Sequence, residues 1–233
     1  MIFRQLFEPQ SSAYTYLVAC DGSRTAALID PVLETVDRDL ARLGELGLTL
    51  EYTIETHIHA DHVTGAARLK ERTGCRCALP EKSGAARADV PVREGEPIRI
   101  GNLSLHPLYT PGHTDDHHSY FVDDDGAARV FTGDALLIDG CGRTDFQNGD
   151  SATLYRSVHE KLFALPDDTL VYPGHDYQKR RVSSIGQERD RNPRLGGGKT
   201  LEEFVAIMAA LDLPPPKKMD VAVPANRACG QLH

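Results

Sequence analysis

Short apolar runs separated by polar breaks open the chain. TYLVA (15–19) and TAALID (25–30) read as β strands, and ETVDRDLARLGELG (34–47) then carries Val36, Leu40, Leu43 and Leu46 at helical spacing, so a β-to-α crossover is predicted. LEYTIETH (50–57) is a further strand running into the loop HIHAD, and HVTGAARLKERTG (62–74) continues as a helix that closes on Gly74. Glycine takes the left-handed backbone of a helix C-cap without steric cost. His57 and His59 are therefore expected at the C-terminal end of a strand.

The middle third is richer in β patterns. IRI (98–100), a Gly101–Asn102 turn, LSLHPLYT (103–110), SYFV (119–122), the turn DDDG and ARVFTGD (128–134) predict antiparallel strands whose connecting loops hold His113 and Asp134. A helix over SATLYRSVHEKLFAL (151–165), a short strand in TLVYPGHD (169–176), and helices around SSIGQERDR (183–191) and TLEEFVAIMAALDL (200–213) follow. The proline-rich segment PPPKKMDVAVPANRACG (214–230) is expected to be extended, with its valines and alanines packing along the body. No internal repeat or low-complexity tract interrupts this order.

Composition narrows the class. A length of 233 residues with 40% hydrophobic content suits one domain, 1–233, with a short extended C-terminal tail from about residue 212. The formal net charge of -8 argues against nucleic acid as a partner, because phosphate backbones call for clustered Lys and Arg. No apolar run approaches the roughly 20 residues needed to span a bilayer, and MIFRQLFEPQ lacks the features of a signal peptide. A cytoplasmic address with no membrane partner is the expectation. Five cysteines (Cys20, Cys75, Cys77, Cys141 and Cys229) are an odd count without the density of a disulfide framework, so reduced thiols are expected. Cys75 and Cys77 have the look of a zinc half-site, but no second pair answers them, and they read as small buried thiols.

The chemistry concentrates in Thr56-His57-Ile58-His59-Ala60-Asp61-His62, which holds four ligand-type side chains within six residues at a strand-to-helix junction. Three more candidates stand in later strand-end loops: His113 in TPGHT, Asp134 in FTGDALL and His175 in YPGHD, each beside a glycine that lets the backbone bend sharply. Neutral imidazole offers a borderline lone pair and aspartate adds charge, so seven such residues can hold one or two metals. Any one of these histidines alone is more simply a loop or strand-capping residue; the ordered set is what points to a metal. His106, His117, His118 and His159 read as surface or packing residues.

The pattern HxHxDH, followed by a later His, a GD and a final GH, resembles the metallo-β-lactamase superfamily. That resemblance implies an α/β fold, an αββα sandwich with its metal at one edge between the two sheets. LIDPVLETVDRDL, GDALLIDGCGRTDFQNGD, SVHEKLFALPDDTLVYPGHDY, NPRL and VAVPANRACG extend the similarity over nearly the whole chain, to the persulfide dioxygenases, the sulfur-oxidising relatives of glyoxalase II. This family implies one non-haem Fe(II) per chain held by His57, His113 and Asp134. Two histidines and a carboxylate on one face leave three positions open for a substrate sulfur and O₂. The reaction implied joins glutathione persulfide, O₂ and water to give sulfite and glutathione, and a homodimer is an admissible assembly.

In the same reading His59, Asp61, His62 and His175 orient the ligands by hydrogen bonds. Arg143 is the candidate to grip a glutathione carboxylate with its planar fork, or else pairs with Asp145, and Tyr177 is placed to hydrogen-bond the same tripeptide. Three stretches depart from the family pattern: Asp115-Asp116-His117-His118 stands where a glycine is usual, Asp139 where a basic residue is usual, and Arg227 one place early before the last Cys. Two other functions fit the motif. A glyoxalase II-like thioester hydrolase would hold two metals and a hydroxide nucleophile, and a non-catalytic sulfur or metal sensor would bind without turnover.

Overall fold

Alternation along β2 (Ala13–Ala19) builds the layers. In the computed structural model of the chain, which describes residues 1–216 and 218–232, Tyr14, Tyr16 and Val18 enter one apolar cluster while Leu17 and Ala19 enter another. Successive strand residues point to opposite faces, so a strand apolar at every position must be covered on both sides. All of β2 is buried accordingly.

Among the described residues, twelve strands form two six-stranded sheets. The first runs in sequence order through β1 (Ile2–Glu8), β2, β3 (Thr25–Ile29), β4 (Thr49–Ile54), β5 (Arg76–Pro80) and β6 (Val90–Val92). It is antiparallel as far as β3 and parallel from there on. Parallel neighbours need a crossover, and α1 (Val36–Glu45) and α2 (Ala66–Thr73) provide two of them. The second sheet runs through β7 (Ile98–Ile100), β8 (Leu103–Tyr109), β9 (His118–Val122), β10 (Arg129–Gly133), β11 (Leu170–Pro173) and β12 (Ser183–Ser184). Only its β10–β11 pair is parallel. Between them lies α3 (Ser151–Ser157), which widens in its next turn so that Phe163 N–H reaches Val158 O at 2.8 Å.

Tyr16, Ile54, Ile100, Leu105, Tyr120 and Phe131 fill the space between the sheets. Leu28, Leu43 and Leu69 join the first sheet to α1 and α2. Val130 and Val171 meet Leu154 of α3, Ile185 of α4 (Ile185–Arg191) and Phe204 of α5 (Leu201–Ala209) on the outer face of the second. The architecture is the αββα sandwich that the motif implies. The helix expected from His62 begins only at Ala66, because residues 57–65 form the irregular loop that presents the histidines.

The C-terminal segment departs from its expected extended form; Lys217 and His233, which belong to it, lie outside the described residues. Met219–Arg227 form α6, despite Pro224 within it. Tertiary contacts outweigh proline content here: Ala222 and Ala225, three residues apart on one face, pack on Val63. Asn226, 2% exposed, donates to the carbonyls of His59 and His62 at 2.9 Å each and accepts the Thr64 N–H at 2.8 Å. Replacing Asn226 with Ala orphans three buried backbone groups, and urea unfolding should show a loss of about 3 kcal/mol. Wild-type stability in that variant would mean that α6 is not anchored by this side chain.

Candidate metal centre

The centre begins with a residue the motif does not contain. Asp30 stands just past β3 in left-handed backbone (φ 49°). One of its oxygens accepts the Thr56 N–H at 2.7 Å and the other the Thr56 hydroxyl at 2.9 Å. A hydroxyl that donates to a carboxylate is left to accept, so the 2.9 Å contact between Thr56 Oγ1 and His57 Nδ1 places the proton on Nδ1. His57 Nε2 is thereby the lone-pair nitrogen. His113, in the β8–β9 loop, is fixed the same way: its Nδ1–H donates to Arg143 O at 2.7 Å, freeing Nε2.

Asp134 follows β10 directly. Its Oδ1 accepts from His175 Nδ1 at 2.8 Å, and its Oδ2 lies 3.5 Å from His113 Nε2. Donor atoms of His57, His113 and Asp134 all lie within 4.8 Å of one another, a spread that one ion with bonds of about 2.1 Å can span. Burial, then the neighbouring His59 and His113, push the His57 imidazole well below its ordinary value, keeping it neutral. Burial alone would raise the Asp134 carboxyl, but His175 and His113 outweigh it and hold the group well below the carboxylate range. Two imidazole nitrogens and one carboxylate oxygen are the donor set for a ferrous or zinc-type ion, so the residues fit a bound metal.

The remaining motif residues surround this trio. Asp61 Oδ2 accepts from His62 Nδ1 and His175 Nε2, both at 2.9 Å. Both ring nitrogens of His175 are thus engaged by carboxylates; burial opposes its charge, yet Asp134 and Asp61 raise it well above the usual histidine value. His59 Nε2 lies 3.1 Å from Asp30 and 3.4 Å from Glu55. His59, Asp61 and His62 form a second converging group, in which His59 Nδ1 and His62 Nε2 are buried without a partner among the described residues.

Three further residues escaped the sequence reading. His117, read as surface or packing, is fully buried and stacks on His57 with centroids 5.1 Å apart. Its Nε2 accepts the Asp134 N–H at 3.1 Å, so this one ring touches both ligand-bearing segments. Asp116 joins the other two loops, accepting Ile58 N–H at 3.0 Å and the Thr114 hydroxyl at 2.6 Å. Both lie in the stretch 115–118 that departs from the family pattern, which is the signal that could have found them. The third is Arg194 of NPRL.

A cavity of about 560 Å³ opens over the trio, walled in part by Leu137, Ile138, Phe146 and Leu213. Arg143 and Tyr177 both line it. The Arg143 fork is held bidentately by Asp145 at 2.6 and 2.7 Å, and its other side donates to Pro214 O and Leu213 O. Tyr177 is 76% exposed and stacks on His175 at 6.2 Å. Arg194 lines the same cavity, and among the described residues its guanidinium bonds only Cys141 O (2.8 Å) and the Cys141 sulfur, both through Nη1, and pairs with no carboxylate. Asp139 does have a basic partner, Arg180.

Residues 9–175 match the family model for the metallo-beta-lactamase superfamily. The chain is 50% identical over 231 residues to the Homo sapiens protein "Persulfide dioxygenase ETHE1, mitochondrial", covering 99% of this chain and 89% of that one. It is 40% identical over 185 residues to a hydroxyacylglutathione hydrolase of Rhodopseudomonas palustris (strain BisB18), covering 78% and 69%. The crystal structure of ETHE1 from Myxococcus xanthus superposes with a TM-score of 0.95 at 56% identity, covering 99% of this chain and all of that one. The chain belongs to the metallo-beta-lactamase superfamily and, within it, to the persulfide dioxygenase family.

Proposed function

We propose that this protein oxidises glutathione persulfide with O₂ and water to sulfite and glutathione, using one Fe(II) held by His57, His113 and Asp134. The observation that carries the reading is the convergence of these three donors beneath a single cavity, in a chain half identical to persulfide dioxygenases along almost its entire length. When bound, iron supplies the redox chemistry that lets dioxygen oxidise the terminal sulfur of the persulfide.

The chain's own residues hold and aim the reactants. Thr56 and the Arg143 carbonyl lock the two imidazoles with Nε2 forward, and His175 steadies the Asp134 carboxylate. Apolar walls at Leu137, Ile138 and Phe146 keep bulk water from the sulfur. A glutathione carboxylate would have to displace Asp145 to reach the Arg143 fork, whereas Arg194 offers unspent donors. We assign the carboxylate to Arg194, with Tyr177 exposed on the wall of the same cavity. Arg194→Ala should raise KM for glutathione persulfide about tenfold with kcat little changed, the mark of lost uniform binding. An unaltered KM would return the role to Arg143.

The unpartnered His59 Nδ1 and His62 Nε2 favour a second reading, a two-metal thioester hydrolase, in which those atoms take up a second ion. Oxygen-electrode turnover with glutathione persulfide after anaerobic iron reconstitution separates the two. One iron per chain with oxygen uptake supports the dioxygenase; two ions with anaerobic thioester cleavage overturns it. A reducing compartment such as the cytoplasm suits the five thiols, all of them free. Among the described residues no helix is long and apolar enough to cross a membrane.

A further inference from the structure

Behind one wall of the cavity lies a carboxylate that the proposed chemistry does not use. Glu188 of α4 is fully buried, which is costly for a carboxylate unless donors surround it. Its Oε2 accepts the Asp139 N–H and the Asn192 side-chain amide, both at 2.9 Å, and its Oε1 accepts the Ser183 hydroxyl. Asn192 stands one helical turn further on, where the following Pro193 turns the backbone out of the helix (φ -56°, ψ 121°). The Asn192 amide nitrogen also donates to Gly140 O at 3.0 Å, and its oxygen accepts the N–H groups of Arg194 and Leu195 at 3.0 and 3.1 Å. Leu137 and Gly140 close a tight turn through paired backbone bonds of 3.0 and 3.2 Å. Asp139 within it takes left-handed backbone (φ 56°), a conformation that persists where its surroundings fix it. Residues 137–140 and Arg194 all line the cavity. One carboxylate and one amide therefore hold both the turn and the chain that carries Arg194.

We propose that Glu188 is a positioning residue for substrate binding: through Asp139 N–H and Asn192 it fixes the turn 137–140 and Arg194 relative to each other as one recognition wall. This inference rests on the proposed function, since it takes glutathione persulfide to be what fills the cavity. Glu188 touches neither the metal trio nor the cavity itself, so its influence falls on how tightly substrate is held and not on the reacting atoms. Geometry, and not charge, is what the wall requires. A single oxygen at the Oε2 position satisfies both Asp139 N–H and the Asn192 amide. Glutamine keeps that oxygen, and its NH₂ group can donate to a Ser183 hydroxyl that has turned to accept. Methionine has similar bulk but leaves both wall donors buried and unmet, so the turn and Arg194 lose their common anchor.

The test runs the iron-loaded whole protein in an oxygen electrode with glutathione persulfide, beside chelator competition for iron and hydrogen exchange of residues 137–143. Glu188→Met should raise KM about fivefold, with kcat and iron affinity within about twofold of the unaltered protein. Glu188→Gln should keep the original KM. Ser183→Ala removes a donor that reaches neither the turn nor Arg194, and should lower the thermal midpoint without moving KM; a role in general stability alone would not separate the two. Should Glu188→Met fail to fold, Asn192→Ala, which spares the bond from Asp139 N–H to Glu188, carries the same comparison. An unchanged KM in the methionine variant, a glutamine variant that behaves like it, or iron affinity falling in step with the rise in KM overturns the assignment. No oxygen uptake by the unaltered protein would defeat the proposed function instead. Hydrogen exchange, which needs no substrate, then decides alone: residues 137–143 should exchange faster in Glu188→Met and not in Glu188→Gln, and equal exchange in the two would overturn the positioning role.

Discussion

Replacing either His113 or Asp134 with Ala is expected to remove bound iron and oxygen consumption together. A site with three protein donors has no spare one. In the His113 variant His175 is no substitute, because it still spends both ring nitrogens on Asp134 and Asp61. Losing Asp134 also leaves the His175 imidazolium without one of its two counter-charges, so that variant should suffer more than His113→Ala. Residues that only orient a ligand set the scale for comparison: Asp30→Asn or Thr56→Val should cost about 10–100-fold in metal affinity while leaving the ion in place at saturating iron. Metal analysis after gel filtration, run beside an oxygen electrode, checks both classes. Stoichiometric iron and full turnover in either alanine variant would show that the trio is not the binding set.

Why the trio was legible and its supports were not follows from where each residue gets its role. His57, His113 and Asp134 sit in loops at strand ends, His57 announced by the HxHxDH cluster and the other two by a glycine directly before them, so a linear reading collects them. Asp30 owes its position to β3 lying beside β4 in the sheet, and the string LIDP carries no mark that its carboxylate will meet Thr56 twenty-six residues later. His117 looks the same in sequence as His118; only the approach of β10 gives it the Asp134 N–H. The two arginines make the point most sharply. Sequence placed Arg143 near the site, but whether its fork is free depends on Asp145 and on the chain folding back at Leu213 and Pro214. The C-terminal helix was hidden by its prolines, since what forms it is burial of Ala222 and Ala225 and the hold of Asn226 on a distant loop.

The glycines of GCGRTDF allow the second large prediction, with its control built in. A methyl group added at Gly142 would stand 2.6 Å from Asp134 O, 2.7 Å from His113 Nδ1 and 3.0 Å from Asp134 Cβ. Backbone and ligand ring cannot both give way, because Asp134 O accepts the Gly142 N–H at 2.7 Å and His113 Nδ1 is tied to Arg143 O. One of the two proposed ligand side chains must shift by tenths of an ångström, and such displacements are costly in a site whose ligand distances are fixed within about 0.2 Å. Gly142→Ala should therefore lower iron affinity by at least about tenfold, in the range seen when groups supporting a ligand are disturbed. Gly140, two residues away in the same loop, has nothing within 4 Å of a built Cβ and ordinary backbone angles. Gly140→Ala should bind iron as the unaltered protein does, since alanine there meets only open space. Competition with a chelator of known affinity measures both variants. Equal affinities in the two would mean that the approach of the Gly142 backbone to His113 and Asp134 plays no part in shaping the metal site.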